Sequence, residues 1–153
     1  MKIMFVCTGN ICRSAMADWM LKDKLEKNNI DNVEVFSSGI YAQPGDIPTY
    51  EAIETMKEIG IDLKKHKATN TMDSEIDEMD LILGMTQAHK NELIYLYPHK
   101  EGKIFTLKEY VNYQKEGHNS INIKDPWGFD IETYRACAAE IEECLDLLIE
   151  LLK

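Results

Sequence analysis

Hydrophobic positions along this chain switch repeatedly between a continuous or alternating spacing and a three-to-four spacing, and each switch marks a new element. Residues 2–7, Lys-Ile-Met-Phe-Val-Cys, form an apolar run of strand length. Residues 14–28 then carry Ala17, Met20, Leu21 and Leu25 at helical spacing, which predicts a strand followed by a helix. Alternation predicts a second strand over residues 32–37. A helix is predicted over 48–59, with Pro48 near its first turn and Gly60 past its end. Residues 79–85 read as a third strand, 86–97 as a helix stopped by Pro98, and 103–106 as a short fourth strand after Gly102. The closing helix covers about 130–152 and lines up Ile131, Tyr134, Ala138, Ile141, Leu145 and Leu148 on one face.

Strands that alternate with helices imply right-handed crossovers and a parallel sheet covered on both faces. The expected fold is therefore α/β, a three-layer sandwich with a four-stranded parallel sheet flanked by helices. No repeat, linker or low-complexity tract interrupts residues 1–153, so a single domain is expected. Ligands of such sheets sit beyond the carboxyl ends of the strands, near the point where strand order reverses. The residues just after Cys7, Ser37 and Met85 are the first to inspect.

Composition narrows the field. With 44% hydrophobic and 29% charged residues, the chain is neither a disordered nor a fibrous sequence. Its longest apolar runs fall far short of the roughly 18 residues that span a bilayer. Met1-Lys2 leads into a short apolar run with no small-residue cleavage site, so no secretory signal is supported and the cytoplasm is expected. Seventeen basic against 27 acidic side chains leave a net charge of −10. That field disfavours nucleic acid and anionic membranes as partners. It also repels phosphate, so an anion site here must be built from local donors.

The loop Cys7-Thr8-Gly9-Asn10-Ile11-Cys12-Arg13-Ser14 joins the first strand to the first helix and holds one of the two Arg residues of the chain. Such a loop can curl until successive N–H groups converge on one anion, with the helix N-terminus adding its partial positive charge. Gly9 would let the backbone bend, and Asn10 tolerates positive φ. Arg13 would close the cradle with a planar fork matched to two phosphate oxygens. Cys7, facing the same donors, would be held as a nucleophilic thiolate, with Ser14 donating its hydroxyl to the sulfur. The blander reading, Cys7 and Cys12 as small core hydrophobes, leaves Arg13 and the strand-to-helix placement unexplained.

A thiolate that attacks phosphorus expels an alkoxide or phenoxide, which needs a proton. Asp125, in Asp125-Pro126-Trp127-Gly128, is the candidate acid. Pro126 stiffens its loop, and Trp127 would shield the carboxyl from water and favour its protonated form.

These residues together carry a resemblance. Val-Cys-x-Gly-Asn-x-Cys-Arg-Ser at residues 6–14, with Asp125-Pro126 far downstream, resembles the low-molecular-weight protein-tyrosine phosphatase family over essentially the whole chain. The resemblance implies a cysteinyl-phosphate intermediate on Cys7, no metal and no cofactor, and an Asp that acts first as acid and then as base toward water. It implies a phosphate cradle made by Thr8, Gly9, Asn10, Ile11, Cys12, Arg13 and Ser14. Asn10, Ser14, Ser37 and His66 are implied to form a hydrogen-bond network that shapes the loop. Tyr41 and Trp127 are the aromatic candidates for the cleft wall. A phosphorylated protein is the implied substrate, and a monomer or weak dimer the expected assembly. Ala15 departs from the family pattern, which usually has Pro after Arg-Ser, so the first helical turn is less pre-set.

Substrate choice stays open between two phosphoresidues. The stretch Lys103-Ile104-Phe105-Thr106-Leu107-Lys108-Glu109-Tyr110-Val111 resembles the protein-arginine phosphatase branch of the family. That branch characteristically has Thr where this chain has Ile11. An apolar branched side chain beside the nucleophile suits the face of a phosphotyrosine ring, so phosphotyrosine is the favoured substrate and phosphoarginine the alternative. An arsenate reductase of this fold would need further Cys after the third strand, and residues 80–100 have none. Cys137 and Cys144 lie two turns apart on the last helix, too far to bridge, and are expected in the core. A non-catalytic phosphopeptide binder would need the cradle but neither the thiol nor the acid.

Overall fold

The computed structural model describes residues 1–115, 117 and 120–153. Four parallel strands form the sheet: β1 (Lys2–Cys7), β2 (Glu34–Gly39), β3 (Leu81–Gly84) and β4 (Ile104–Thr106), in the order β2-β1-β3-β4. The principal helices are α1 (Arg13–Lys27), α2 (Tyr50–Glu58), α3 (Gln87–Leu96), α4 (Leu107–Tyr110) and α5 (Ile131–Leu152). Strand order reverses between β1 and β3, and the loop after β1 opens at that point.

Side chains alternate along β1 and so define two cores. Ile3, Phe5 and Cys7 belong to one cluster with Met16, Met20, Leu21, Tyr134, Ile141, Leu145 and Leu148, which lies under α1 and α5. Met4 and Val6 belong to the other, with Ile82, Leu93 and Ile104. Covered on both faces, β1 must be apolar beyond its first residue, Lys2, which is why the run from Ile3 to Cys7 is unbroken. Cys137 and Cys144 are buried within the first cluster, as their place on α5 suggested.

Pairing explains where the expected boundaries shift. The register runs from Lys2↔Glu34 through Cys7↔Gly39, and beyond it, among the described residues, only the Met1 amino group reaches the Asn32 carbonyl, at 3.0 Å, so β2 starts at Glu34. For the same reason it runs on to Gly39 rather than ending at Ser37. Thr49 caps α2 by accepting from the Ala52 N–H, so Pro48 precedes the helix instead of sitting in its first turn. The short helix α4 was not anticipated; Thr106 and Glu109 close a capping box around it. No helix among the described residues is long and apolar enough to cross a membrane.

Candidate active site

The loop between β1 and α1 wraps around the sulfur of Cys7. Asn10 has φ 56°, in the left-handed region that its short polar side chain tolerates. That twist aims its N–H at Cys7 Sγ, 3.3 Å away. The Ser14 hydroxyl, in the first turn of α1, lies 2.9 Å from the same sulfur. Asn10 Nδ2 in turn donates to Ser14 Oγ at 2.8 Å. Helix α1 begins at Arg13 with no side-chain cap and no acidic residue in its first turn, so its leading N–H groups stay available to an anion.

Gly9 has an ordinary φ, and a Cβ there would only touch the Ile11 side chain at 3.4 Å. The bend expected of Gly9 is made by Asn10. The glycine that the loop depends on is Gly39, at the end of β2. A Cβ on Gly39 would stand 2.5 Å from Thr8 O and 2.8 Å from Asn10 N, inside the van der Waals limit. The loop can lie against β2 only because that side chain is missing.

Arg13 is only 4% exposed. Its Nη1 donates to Ile123 O at 2.9 Å, and its Nη2 lies 3.6 Å from Asp125 Oδ2. Its Nε finds no acceptor among the described residues although it is buried. Leaving a buried donor unmet costs about 1 to 3 kcal/mol, and an anion oxygen in the cradle would meet it. Asp125 is brought to the loop by Ile123, whose N–H bonds Met85 O at 2.9 Å at the end of β3. The Asp125 Oδ1 accepts from the Trp127 N–H at 3.1 Å, and Gly128 turns the chain with φ +85°.

Cys12, also in the loop, is pushed well above the usual thiol range, first by burial and then by the neighbouring Cys7 and Asp125. It therefore stays a thiol, and its Sγ points an S–H at Asp125 Oδ1, 3.8 Å away. Thr8 Oγ1 lies 2.9 Å from His89 Nε2, and His89 Nδ1 lies 2.9 Å from Thr86 Oγ1. His89, which received no role from the sequence, thus ties the loop after β1 to the N-terminus of α3. Burial and the charge of Arg13 lower its pKa to about 4.

Three expectations need correction. Trp127 is 62% exposed and leaves the Asp125 side chain half in solvent, so the aromatic shield over the acid is absent. Pro126 and the Asx turn swing the indole outward, and the carboxylate takes Arg13 as its partner instead. Ser37 does not join the loop network: the pleat of β2 turns its hydroxyl to Asp18 Oδ2 at 2.6 Å, and it is the Ser38 carbonyl that lies 3.4 Å from Ser14 Oγ. Tyr41 adjoins the loop through its N–H, which donates to Thr8 O at 2.9 Å, but its hydroxyl is drawn away to Glu92 on α3. His66 does reach the loop as expected, with Nε2 at 3.0 Å from Asn10 O and 3.2 Å from Asn10 Oδ1. Ile11 accepts at its carbonyl from the Thr49 N–H at 3.1 Å.

Sequence reasoning missed Asp18, Trp19, Thr69 and His89. For Asp18 a signal existed: it lies four residues after Ser14, hence one turn further along the helix face that the loop motif already marks. The Thr69 N–H donates to Asn10 Oδ1 at 3.0 Å through its backbone, which no side-chain pattern announces. No group of three or more His, Cys, Asp or Glu that could hold a metal ion occurs among the described residues.

A cysteine sulfur contacted by an N–H and a hydroxyl, in the same loop as a buried guanidinium with a carboxylate beside it, fits an enzyme that transfers phosphoryl groups through cysteine. The sequence profile described as low molecular weight phosphotyrosine protein phosphatase matches residues 2–153, and the chain belongs to that family. A protein-arginine-phosphatase of Geobacillus stearothermophilus is 38% identical over 152 residues, covering 99% of this chain and 96% of that one. A low molecular weight protein tyrosine phosphatase from T. tengcongensis superposes with TM-score 0.88 at 37% identity, covering 98% of each chain. A YwlE arginine phosphatase mutant, its active-site cysteine replaced by a phosphorylated serine, superposes with TM-score 0.89 at 36% identity, covering 99% of this chain and 95% of that one.

Two outcomes follow from this geometry. Gly39→Ala is expected to displace Thr8 and Asn10, lowering kcat/KM on an aryl phosphate by about 100-fold or more while the melting temperature shows the chain still folded. His89 is neutral in the fold below its ordinary 6.5, so the stability it contributes is complete above that value and is lost as pH falls toward about 4. Melting temperature measured against pH should therefore drop more steeply over that window in the wild type than in His89→Gln.

Proposed function

We propose that this protein hydrolyses phosphotyrosine in proteins through a cysteinyl-phosphate intermediate. The observation that carries the reading is the convergence on Cys7 Sγ of the Ser14 hydroxyl at 2.9 Å and the Asn10 N–H at 3.3 Å, with Arg13 buried beside them. The Asn10 N–H donates to the sulfur, and the Ser14 hydroxyl is placed to do the same.

In this reading the amides of Thr8 to Arg13 and the N-terminus of α1 hold the three non-bridging phosphoryl oxygens. Arg13, now 3.6 Å from Asp125, turns Nε and Nη2 to the dianion, a better acceptor pair than one carboxylate oxygen. Cys7 attacks phosphorus in line with the tyrosine oxygen. The P–O bond breaks, its electron pair leaves on the phenolic oxygen, and Asp125 supplies the proton. Asp125, now a base, takes a proton from water, which attacks the cysteinyl phosphate and returns the thiolate and inorganic phosphate. The cradle and Arg13 supply the positive charge that a metal would otherwise bring, and the reaction is read as metal-independent. Of the side chains read as lining the cleft, Ile11 in the loop itself is the one on which the aromatic ring of the substrate would rest. The expected setting is cytoplasmic, acting on phosphorylated protein as a monomer or weak dimer, with neither nucleic acid nor membrane as partner.

A second reading has a specific observation in its favour: the 38%-identical relative and the superposed mutant structure are named arginine phosphatases. Ile11, which offers no hydroxyl, favours the aryl ester.

Cys7→Ser is expected to abolish turnover while keeping micromolar-to-millimolar binding of inorganic phosphate, read by calorimetry. Asp125→Ala should slow aryl phosphates with poor leaving groups by about 100-fold and those with good leaving groups far less; equal losses across the series would count against Asp125 as the acid. EDTA should leave the rate unchanged. Side-by-side rates on phosphotyrosine and phosphoarginine peptides decide the substrate: wild type should prefer phosphotyrosine, and Ile11→Thr should move the ratio toward phosphoarginine by about 10-fold. A wild type that turns over phosphoarginine far faster overturns the phosphotyrosine assignment.

A further inference from the structure

Behind the loop lies a chain of hydrogen bonds whose direction is set from Trp19 as far as Ser14. Trp19 Nε1 is 3.0 Å from His66 Nδ1. An indole N–H can only donate, so His66 Nδ1 must accept and carry no proton. The ring proton of neutral His66 is then on Nε2, which donates to Asn10 O and Oδ1 at 3.0 and 3.2 Å. Asn10 Oδ1 also receives the Thr69 N–H at 3.0 Å, which fixes the amide so that Nδ2 faces Ser14 and donates to it at 2.8 Å. Ser14 Oγ then lies 2.9 Å from Cys7 Sγ, with Ser38 O at 3.4 Å as the other acceptor for its proton. Four residues thus pass hydrogen bonds in one sense, from the half-buried Trp19 to Ser14, which touches the sulfur.

We propose that Trp19 is a positioning residue that locks His66 as the neutral Nε2–H tautomer, so that the donor set around Cys7 does not change with pH across the weakly acidic to neutral range. This rests on Cys7 being the reacting sulfur.

The groups facing His66 support the lock. Asp18, the carboxylate that would favour an imidazolium, already has Lys22 Nζ at 2.9 Å and the Ser37 hydroxyl at 2.6 Å. Lys22 also lies over the Trp19 ring, 4.9 Å from its centroid, and its charge opposes a second cation nearby. Lys65 and Lys67 flank His66 in sequence with the same sign. The loop contributes the Asn10 carbonyl and amide oxygen, which call for one donor at Nε2 and are served by either the neutral Nε2–H form or the cation. Only Nδ1 separates the two, and the indole N–H occupies it. Burial, outweighing Asp18 and the Asn10 acceptor, holds the His66 pKa below its ordinary 6.5.

The consequence is a division of labour. A histidine free to titrate would place a positive charge behind the cradle in acid and withdraw it near neutrality, altering both the thiolate and the grip on phosphate. With Nδ1 occupied, His66 keeps the shape of Asn10 without adding a variable charge.

The test has a spectroscopic part and a kinetic part. In ¹⁵N-labelled wild type, a coupling across the hydrogen bond between Trp19 Nε1 and His66 Nδ1 is expected, with nitrogen shifts of the neutral Nε2–H form from about pH 5.5 to 8. In Trp19→Phe, which keeps an aromatic ring but loses the donor, His66 should titrate within that window. The acid side of its kcat/KM profile should then rise by roughly two- to fivefold relative to wild type, as expected for one partly screened charge. A role in packing alone would lower the melting temperature and leave both readouts unmoved. The proposal is overturned if wild-type His66 is an imidazolium or Nδ1–H tautomer at neutral pH, which stays measurable even if Trp19→Phe fails to fold. It is equally overturned if the folded variant keeps His66 neutral or its profile superposes on that of wild type. Should the spectra hold while wild type releases phosphate from no phosphoresidue, the phosphatase reading alone falls.

Discussion

The constraint on which the site depends is the side chain and twisted backbone of Asn10. One residue in the left-handed region turns its N–H toward sulfur, while its amide bridges His66 and Thr69 on one side and Ser14 on the other. A left-handed conformation costs a non-glycine residue about 1 to 2 kcal/mol, and here several hydrogen bonds hold it in place. Gly39 makes the arrangement possible by yielding the space of a side chain to Thr8 and Asn10. The sheet thereby acts on the loop directly, through the last residue pair of the β1–β2 register.

Local donors must also overcome a general repulsion. A chain with net charge −10 would hold an anion only where amides, an uncapped helix start and a buried guanidinium are concentrated. The donors sit at the switch in strand order, where the crossovers leave a crevice for a ligand. Fold and chemistry therefore meet at one place for a topological reason.

Much of this was legible in the chain. The unbroken run of β1 announced a doubly covered strand, and the Cys7-to-Ser14 motif between strand and helix announced a loop closed on the sulfur. The faces of α1 and α5 followed from spacing alone. What stayed hidden was set by contacts between distant segments. The start of β2 depends on where β1 begins. The need for Gly39 depends on how closely the loop presses against it. Trp127 pointed to a shield because aromatics commonly cover buried acids, yet the turn at Asp125-Pro126 carries the indole outward. Ser37 pointed to the loop through the family resemblance, whereas the alternation of β2 sends its hydroxyl to Asp18. His89 and Trp19 could not be assigned because single aromatic or imidazole side chains on helices are ordinarily packing residues.

Arg13 does more than face the cradle, for its Nη1 also holds the Ile123 carbonyl, two residues before Asp125. The segment bearing the carboxylate is in this way moored to the same side chain that would grasp the incoming ester. Lysine, with a single ammonium, could not hold both ropes at once, and a chain that exchanged one cation for the other would set its acid adrift while still carrying the same charge.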